Sequence, residues 1–343
     1  MGMKIRYSLK KEFKNLRSYL YILIIIVIAT SILTIFVNPL WKQSTAVKNL
    51  INIGADVHSD PIFYGIFETL IEVKFPAKST SNNDILILQN CPNMVVLILN
   101  GTKISDKGLE ILHRNQRLGI LWLNDTLVTD AGMKYLQFLP SLEDLHLDNT
   151  KISEKGLAYL KGLKLDGISL KKTFVTDKGI IQLNSISTLE AINLSNTMIT
   201  DKVFSLFKHK DIILKLELVA THITDAGLKD VNHYSRIRYL DLSENNITDI
   251  GLEYLEQLSS LEQLGLRGTK ITDNGLKHIA KLKKLKDLDI QNTEVTDAGL
   301  LEIRNMSQLE YLYIKNTNVT EDGIEELKKH IPDLYIEGGK VKK

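Results

Sequence analysis

The sequence predicts an α/β solenoid, with parallel β on a concave face and short helices on a convex face, preceded by one N-terminal transmembrane helix. Three observations predict it. A 24-residue repeat runs from Met94 almost to the C-terminus. Each copy pairs an alternating apolar strand signal with a helix-start signal, in the template LxxLxLxxTxITDxGLxxL. Residues 18 to 41, SYLYILIIIVIATSILTIFVNPLW, contain no charge. A period in this range means stacked supersecondary units, each burying its apolar face against its neighbours.

Ten copies begin at Met94, Leu118, Leu142, Leu165, Leu189, Ile213, Ile237, Leu261, Leu285 and Leu309. Every step is 24 except Leu142 to Leu165, which is 23 because one residue is missing after the helix, before Leu165. Within a copy, the alternation of Leu97 and Leu99, repeated through Leu312 and Ile314, marks a short strand with two inward side chains. The Thr column (Thr102, Thr126, and so on, with Asn245 in one copy) is expected to be buried and bonded to turn backbone in neighbouring copies. The Ser or Thr three residues later, from Ser105 to Thr320, is a helix N-cap, and the acid after it favours the first helical turn. Before it stands a β-branched residue that can staple onto the Leu of the helix. The Gly at the third helical position is expected to let the helix approach the sheet closely.

The ITDxGLxxL template, in register over residues 70 to about 336, resembles the leucine-rich repeat family, and specifically its bacterial, planctomycete-like 24-residue type. The string AVKNLINIGADVHSD resembles a segment that precedes the array in anchored members of that type. The same ITDxGL also resembles repeats of F-box substrate receptors, which usually carry Cys or Asn where this chain has Thr. The resemblance implies a protein that displays a surface rather than one that catalyses.

The ends of the array depart from the template, as capping units must. Residues 70–93 keep the apolar spacing (Leu70, Val73, Phe75, Ile85, Leu88) without the TDxG signature, and form an N-terminal capping repeat. The ten repeats occupy 94–330, and 331–343 form a C-terminal cap and basic tail. Inside the array, Val203 replaces the helix Gly beside Phe204 and Phe207. Such overpacking, typically worth roughly 1–3 kcal/mol, is met either by a local change of curvature or by ordinary repacking.

The apolar stretch within residues 19–41 is long enough to cross a bilayer, which needs roughly 20 residues. It exceeds the roughly 7–15 residues of a cleaved signal peptide and ends without an A-x-A-like site, so it reads as an uncleaved signal-anchor. Tyr19, Tyr21 and Trp41 sit near its ends, as interfacial aromatics do. Six bases lie in residues 1–18 and only Lys42 and Lys48 just beyond the span. The positive-inside rule therefore places a basic segment 1–18 in the cytoplasm, a single span in the cytoplasmic (inner) membrane, and the repeats in the periplasm or outside the cell. Residues 42–69 are expected to be a helical juxtamembrane linker. One helix there closes at Gly54, and a second opens at Asp60-Pro61.

Net charge is +2 overall and +5 in residues 1–18, which leaves −3 on the remainder and argues against a nucleic-acid partner. The single cysteine, Cys91, permits no internal disulfide and reads as a small buried hydrophobe. No HExxH, GxSxG, GxxxxGK[ST] or CxxC occurs, and no cofactor or metal is expected. Candidate partner-binding residues are side chains flanking the inward leucines: Trp122, His146, Glu217, Tyr239, Asp241, Asp287, Asp289, Tyr311 and Tyr313. The reading is a membrane-anchored, non-catalytic module whose concave face binds a protein or an envelope polymer. One alternative is a carboxylate-based enzyme using Glu217, Asp241, Asp287 and Asp289. Strands are spaced roughly 4.8 Å, however, so only neighbours such as Glu217 and Asp241 are expected to lie close enough to act together. The other is an F-box-like receptor, which the short segment before the span leaves no room for.

Overall fold

The computed structural model describes residues 46–62 and 67–339. The expected span over 19–41, the basic segment before it and the last tail residues lie outside the described residues. Among the described residues, no helix is long and apolar enough to cross a membrane.

One sheet, with strands in chain order, runs the length of the molecule. It begins with β1 (Asp56–Ile62) and β2 (Phe67–Lys74), which pair antiparallel. From β2 onward all pairing is parallel: β3 (Val96–Ile98), β4 (Ile120–Trp122), β5 (Asp144–His146), β6 (Gly167–Ser169), β7 (Ala191–Asn193), β8 (Lys215–Glu217), β9 (Tyr239–Asp241), β10 (Gln263–Gly265), β11 (Asp287–Asp289), β12 (Tyr311–Tyr313) and β13 (Tyr335–Glu337). The central residue of each repeat strand is buried and its two neighbours are not, as the alternation required, except in β6, where Ser169 is buried as well. Short α- and 3₁₀-helices fill the other side, and their apolar side chains share one continuous core with the strand leucines.

The expected linker helices are half right. A helix over residues 46–52 buries Ala46 and Leu50 and ends at Gly54 (φ +82°). Asp60-Pro61, however, opens no helix, because both residues lie in β1. β1 is the outermost strand of the sheet, an edge position of the kind to which a strand proline is confined. The antiparallel β1–β2 pair thus covers the edge that a bare parallel sheet would expose.

The Thr column is buried, but its bonds stay within each copy. Thr102, Thr126, Thr150, Thr173, Thr197, Thr269, Thr293 and Thr317 each donate to the carbonyl three residues earlier, at 2.5–2.7 Å. The exception is the Thr221–Asn245 pair: Asn245 donates to Leu242 O at 3.0 Å and to Leu218 O of the copy before at 2.7 Å, and the half-buried Thr221 hydroxyl donates to Asn245 Oδ1 of the copy after it at 3.0 Å. Each of these turns passes through the left-handed region one residue earlier. Gly101 and Gly268 occupy it, as do Asn149, Asn196, Asn292 and Asn316, with φ between 54° and 68°.

The cross-copy bonds belong instead to the aspartate of TDxG. Asp225 accepts from Thr248 N at 2.8 Å and from Thr248 Oγ1 at 2.6 Å, one copy on. The same pair of bonds joins Asp106 to Thr129, Asp130 to Ser153, Asp177 to Thr200, Asp201 to Thr224, Asp249 to Thr272, Asp273 to Thr296 and Asp297 to Thr320. Asn82 of the N-terminal cap begins the series on Ser105. Each cap hydroxyl that donates to the preceding copy also accepts from its own helix, as Thr248 does from Ile250 N at 3.3 Å. This ladder corrects the reason for the glycine. A Cβ on Gly275 would meet Asp249 Oδ1 at 2.5 Å, so the glycine makes room for the carboxylate of the copy before.

At Val203 the strand register and the ladder are kept while the helix start shifts. Its helix, Val203–Leu206, begins two residues later than the Asp249–Leu255 helix does in its own copy. Asp177 keeps both bonds to Thr200, and β7 pairs with β8 in unbroken register. Phe204 packs edge-on to Tyr234 at 5.9 Å, and the buried Tyr234 hydroxyl donates to Phe204 O at 3.3 Å.

Candidate concave binding surface

The first and third residues of each three-residue strand stand on the concave face, and the parallel register lines them up in columns across copies. The structure divides the nine candidate residues into three groups. Tyr239, Asp241, Asp287, Asp289 and Tyr313 surround one shallow depression of about 200 Å³, together with Gln263, Leu264, Gly265 and Gln291. His146 and Glu217 belong to a second depression, of about 180 Å³, over Gly167, Ser169 and Ala191. Trp122 stacks on His146 (5.0 Å between centroids, 26° between planes), and His146 Nε2 lies 3.2 Å from Asp144 Oδ1. Tyr311 stands apart. It packs against Tyr335 at 6.0 Å and lines a depression at the C-terminal end.

The first depression exists because of Gly265. Its register partners are Asp241 on β9 and Asp289 on β11, and with no side chain between them the face is open down to Leu264. The Asp241 carboxylate leans over the glycine, where a Cβ would clash with Oδ1. Asp241 and Asp289, two strands apart, both line this depression, and the Asp241 charge adds a little to the rise of Asp289. Gly265 and Gln263 stand in the columns visible in the sequence, but a glycine there reads as an absence until its neighbours are placed around it.

Burial chiefly, with the nearby Asp289 charge, holds Asp287 above the usual carboxylate range. Asp289 is also raised, again mainly by burial, although its own bond from Gln291 N at 3.0 Å and the Arg267 charge pull the other way. Tyr239 is pushed up by burial, then by Asp241, Glu217 and Asp287. The two depressions are separated by Lys215. Its Nζ pairs with Glu217 Oε1 at 2.9 Å and stands 4.7 Å from the Tyr239 ring centroid.

Other polar groups beside the face have structural work. Asn124 Oδ1 accepts from Asp148 N at 2.8 Å, and Asp148 Oδ1 accepts from Lys171 N at 3.0 Å, each tying one copy to the next. Among the described residues, no group of three or more His, Cys, Asp and Glu is placed to hold a metal ion. Cys91 is fully buried, and burial pushes its thiol up to about 12.

Comparison with known proteins bears on the fold. A leucine-rich repeat model matches residues 213–271, and a second matches residues 90–112 and 281–303. Among solved structures, an internalin (inlF) from Listeria monocytogenes aligns with a TM-score of 0.60 at 20% identity, over 91% of this chain and 92% of that one. A leucine-rich repeat protein from Leptospira interrogans aligns with a TM-score of 0.52, also at 20% identity, over 74% of each chain. No curated protein sequence matches the chain. The matched segments fall within the array of 24-residue copies, whose parallel strands and short helices stack as described, and the chain carries leucine-rich repeats folded as a leucine-rich repeat solenoid.

Proposed function

We propose that this protein is a membrane-anchored, non-catalytic binding module whose concave face engages a protein partner or an envelope polymer. The observation that carries this reading is the gathering of Tyr239, Asp241, Asp287, Asp289 and Tyr313 around one open position. None of the five is a template residue, and the ladder and the core use none of their side chains. Tyrosines and partly desolvated charges at the centre of a patch are what binding hot spots favour.

The test is capture of partners by the full chain, followed by titration with two variants. Tyr313→Ala is expected to weaken binding by about 1–3 kcal/mol and to leave melting nearly unchanged. Lys277→Glu, on the exposed face of the Asp273–Ile279 helix, is expected to do little. Binding abolished by Lys277→Glu and indifferent to Tyr313→Ala would move the working surface to the convex side.

The anchor belongs to the same proposal. The charge-free stretch over 19–41 and the bases before it support a retained span with the array outside the cytoplasm. Protease added to intact spheroplasts is expected to destroy the repeats and leave a short N-terminal fragment. Repeats protected until lysis would reverse the orientation.

A further inference from the structure

We infer that the depression over Gly265 seats an arginine side chain presented by a loop of a partner protein. This deepens the concave reading and rests on it. At about 200 Å³ the depression is smaller than the roughly 300–1,000 Å³ of small-molecule sites, and suits one side chain rather than a whole ligand.

The charge pattern specifies the sign of that side chain. Three carboxylates elsewhere on or beside the face have a basic partner within reach, while Asp148 is held instead by hydrogen bonds from Ser169 Oγ and Lys171 N. Asp144 has His146 at 3.2 Å, Glu217 has Lys215 at 2.9 Å, and Glu244 has Arg267 at 3.3 Å. Around Gly265 the balance fails. Among the described residues, no basic side chain makes an ion pair with Asp241, Asp287 or Asp289. Arg267, whose charge reaches Asp289, is held by Glu244. The burial that raises Asp287 and Asp289 disfavours their charged forms while the depression is empty, and an incoming cation would relieve that penalty.

The walls specify the shape. Tyr239 and Tyr313 offer aromatic surface on either side, and Lys215 already stands over the Tyr239 ring at cation–π distance. A guanidinium is planar, stacks on aromatic rings and binds carboxylates through a fork of N–H donors. An ammonium is a compact, strongly hydrated point charge that does neither well.

The experiment titrates the full chain, in non-ionic detergent, with acetyl-Gly-Arg-Gly-amide and with the same peptide carrying citrulline, which keeps the shape and removes the charge. The arginine peptide is expected to saturate in the millimolar range and to bind at least about tenfold more tightly than the citrulline peptide. Asp289→Asn and Asp287→Asn are each expected to weaken it about fivefold or more, and raising salt from low to near-physiological strength should weaken it further. Asparagine keeps an oxygen able to accept the Gln291 N–H bond that Asp289 accepts, and melting of each variant, measured alongside, separates a lost titration from unfolding. Gly265→Leu, which fills the gap, should abolish the signal. Equal binding of the two peptides, failure to saturate, or indifference to Asp289→Asn overturns the inference. So does a glucosamine oligosaccharide that outcompetes the arginine peptide, since the cation would then come from a polymer. None of these outcomes alters the Tyr313→Ala comparison with captured partners, so the concave reading stands or falls separately.

Discussion

Leu240→Ala is expected to lower stability by about 2–5 kcal/mol, the range for a large-to-small change in a core that cannot collapse around the cavity. Leu240 is the inward residue of β9, with no exposed surface, between its register partners Leu216 and Leu264. Relaxation on one side is opposed by the copy on the other, so the cavity should persist. Chemical denaturation followed by circular dichroism measures the change. A loss under about 1 kcal/mol would mean that the inward positions are wrongly assigned.

Asp225→Ala is expected to cost about 2–3 kcal/mol. The carboxylate accepts from both Thr248 N and Thr248 Oγ1. Bonds to a charged group are individually worth about 1.5–3 kcal/mol, and partial exposure of this one reduces their sum. Thr248→Ala removes the hydroxyl but keeps the backbone bond, and should cost about 0.5–2 kcal/mol. The two changes share a partner, so the double variant should lose less than the sum of the singles. Strict additivity would show that the two residues act on separate helices and that no rung joins the copies.

Much of this architecture is legible in the sequence because repetition averages away local ambiguity. A single L-x-L is a weak strand signal; ten in register are not. The N-cap threonines and inward leucines follow from periodicity alone. What periodicity cannot reveal is which copy a side chain serves. Asp225 follows Thr224 in sequence, yet its bonds are to Thr248, 23 residues on. From one copy, the aspartate reads as a charge for its own helix and the glycine as a spacer toward the sheet. The Asp60-Pro61 error has the same root. The dipeptide is locally a good helix start, and only the sheet edge it borders makes it a strand. At the candidate site, the tyrosines and aspartates were visible as columns, but the vacancy that organises them was not, since Gly265 contributes by what it lacks.

The 23-residue copy shows how the two faces of the molecule are insulated from each other. The missing residue falls between the helical turn Ala158–Leu160 and β6, and β5 still pairs with β6 residue for residue, Asp144 beside Gly167 and His146 beside Ser169. The deletion does coincide with an interruption of the carboxylate ladder, since Glu154 stands where every other copy but the last has aspartate and makes no bond to Thr176 among the described residues. The columns nonetheless run straight past it. Length is thus edited on the helical side, and the text displayed on the strand side keeps its spacing. An array built this way can change any one letter of its recognition surface, or gain and lose residues behind it, without shifting the letters on either side.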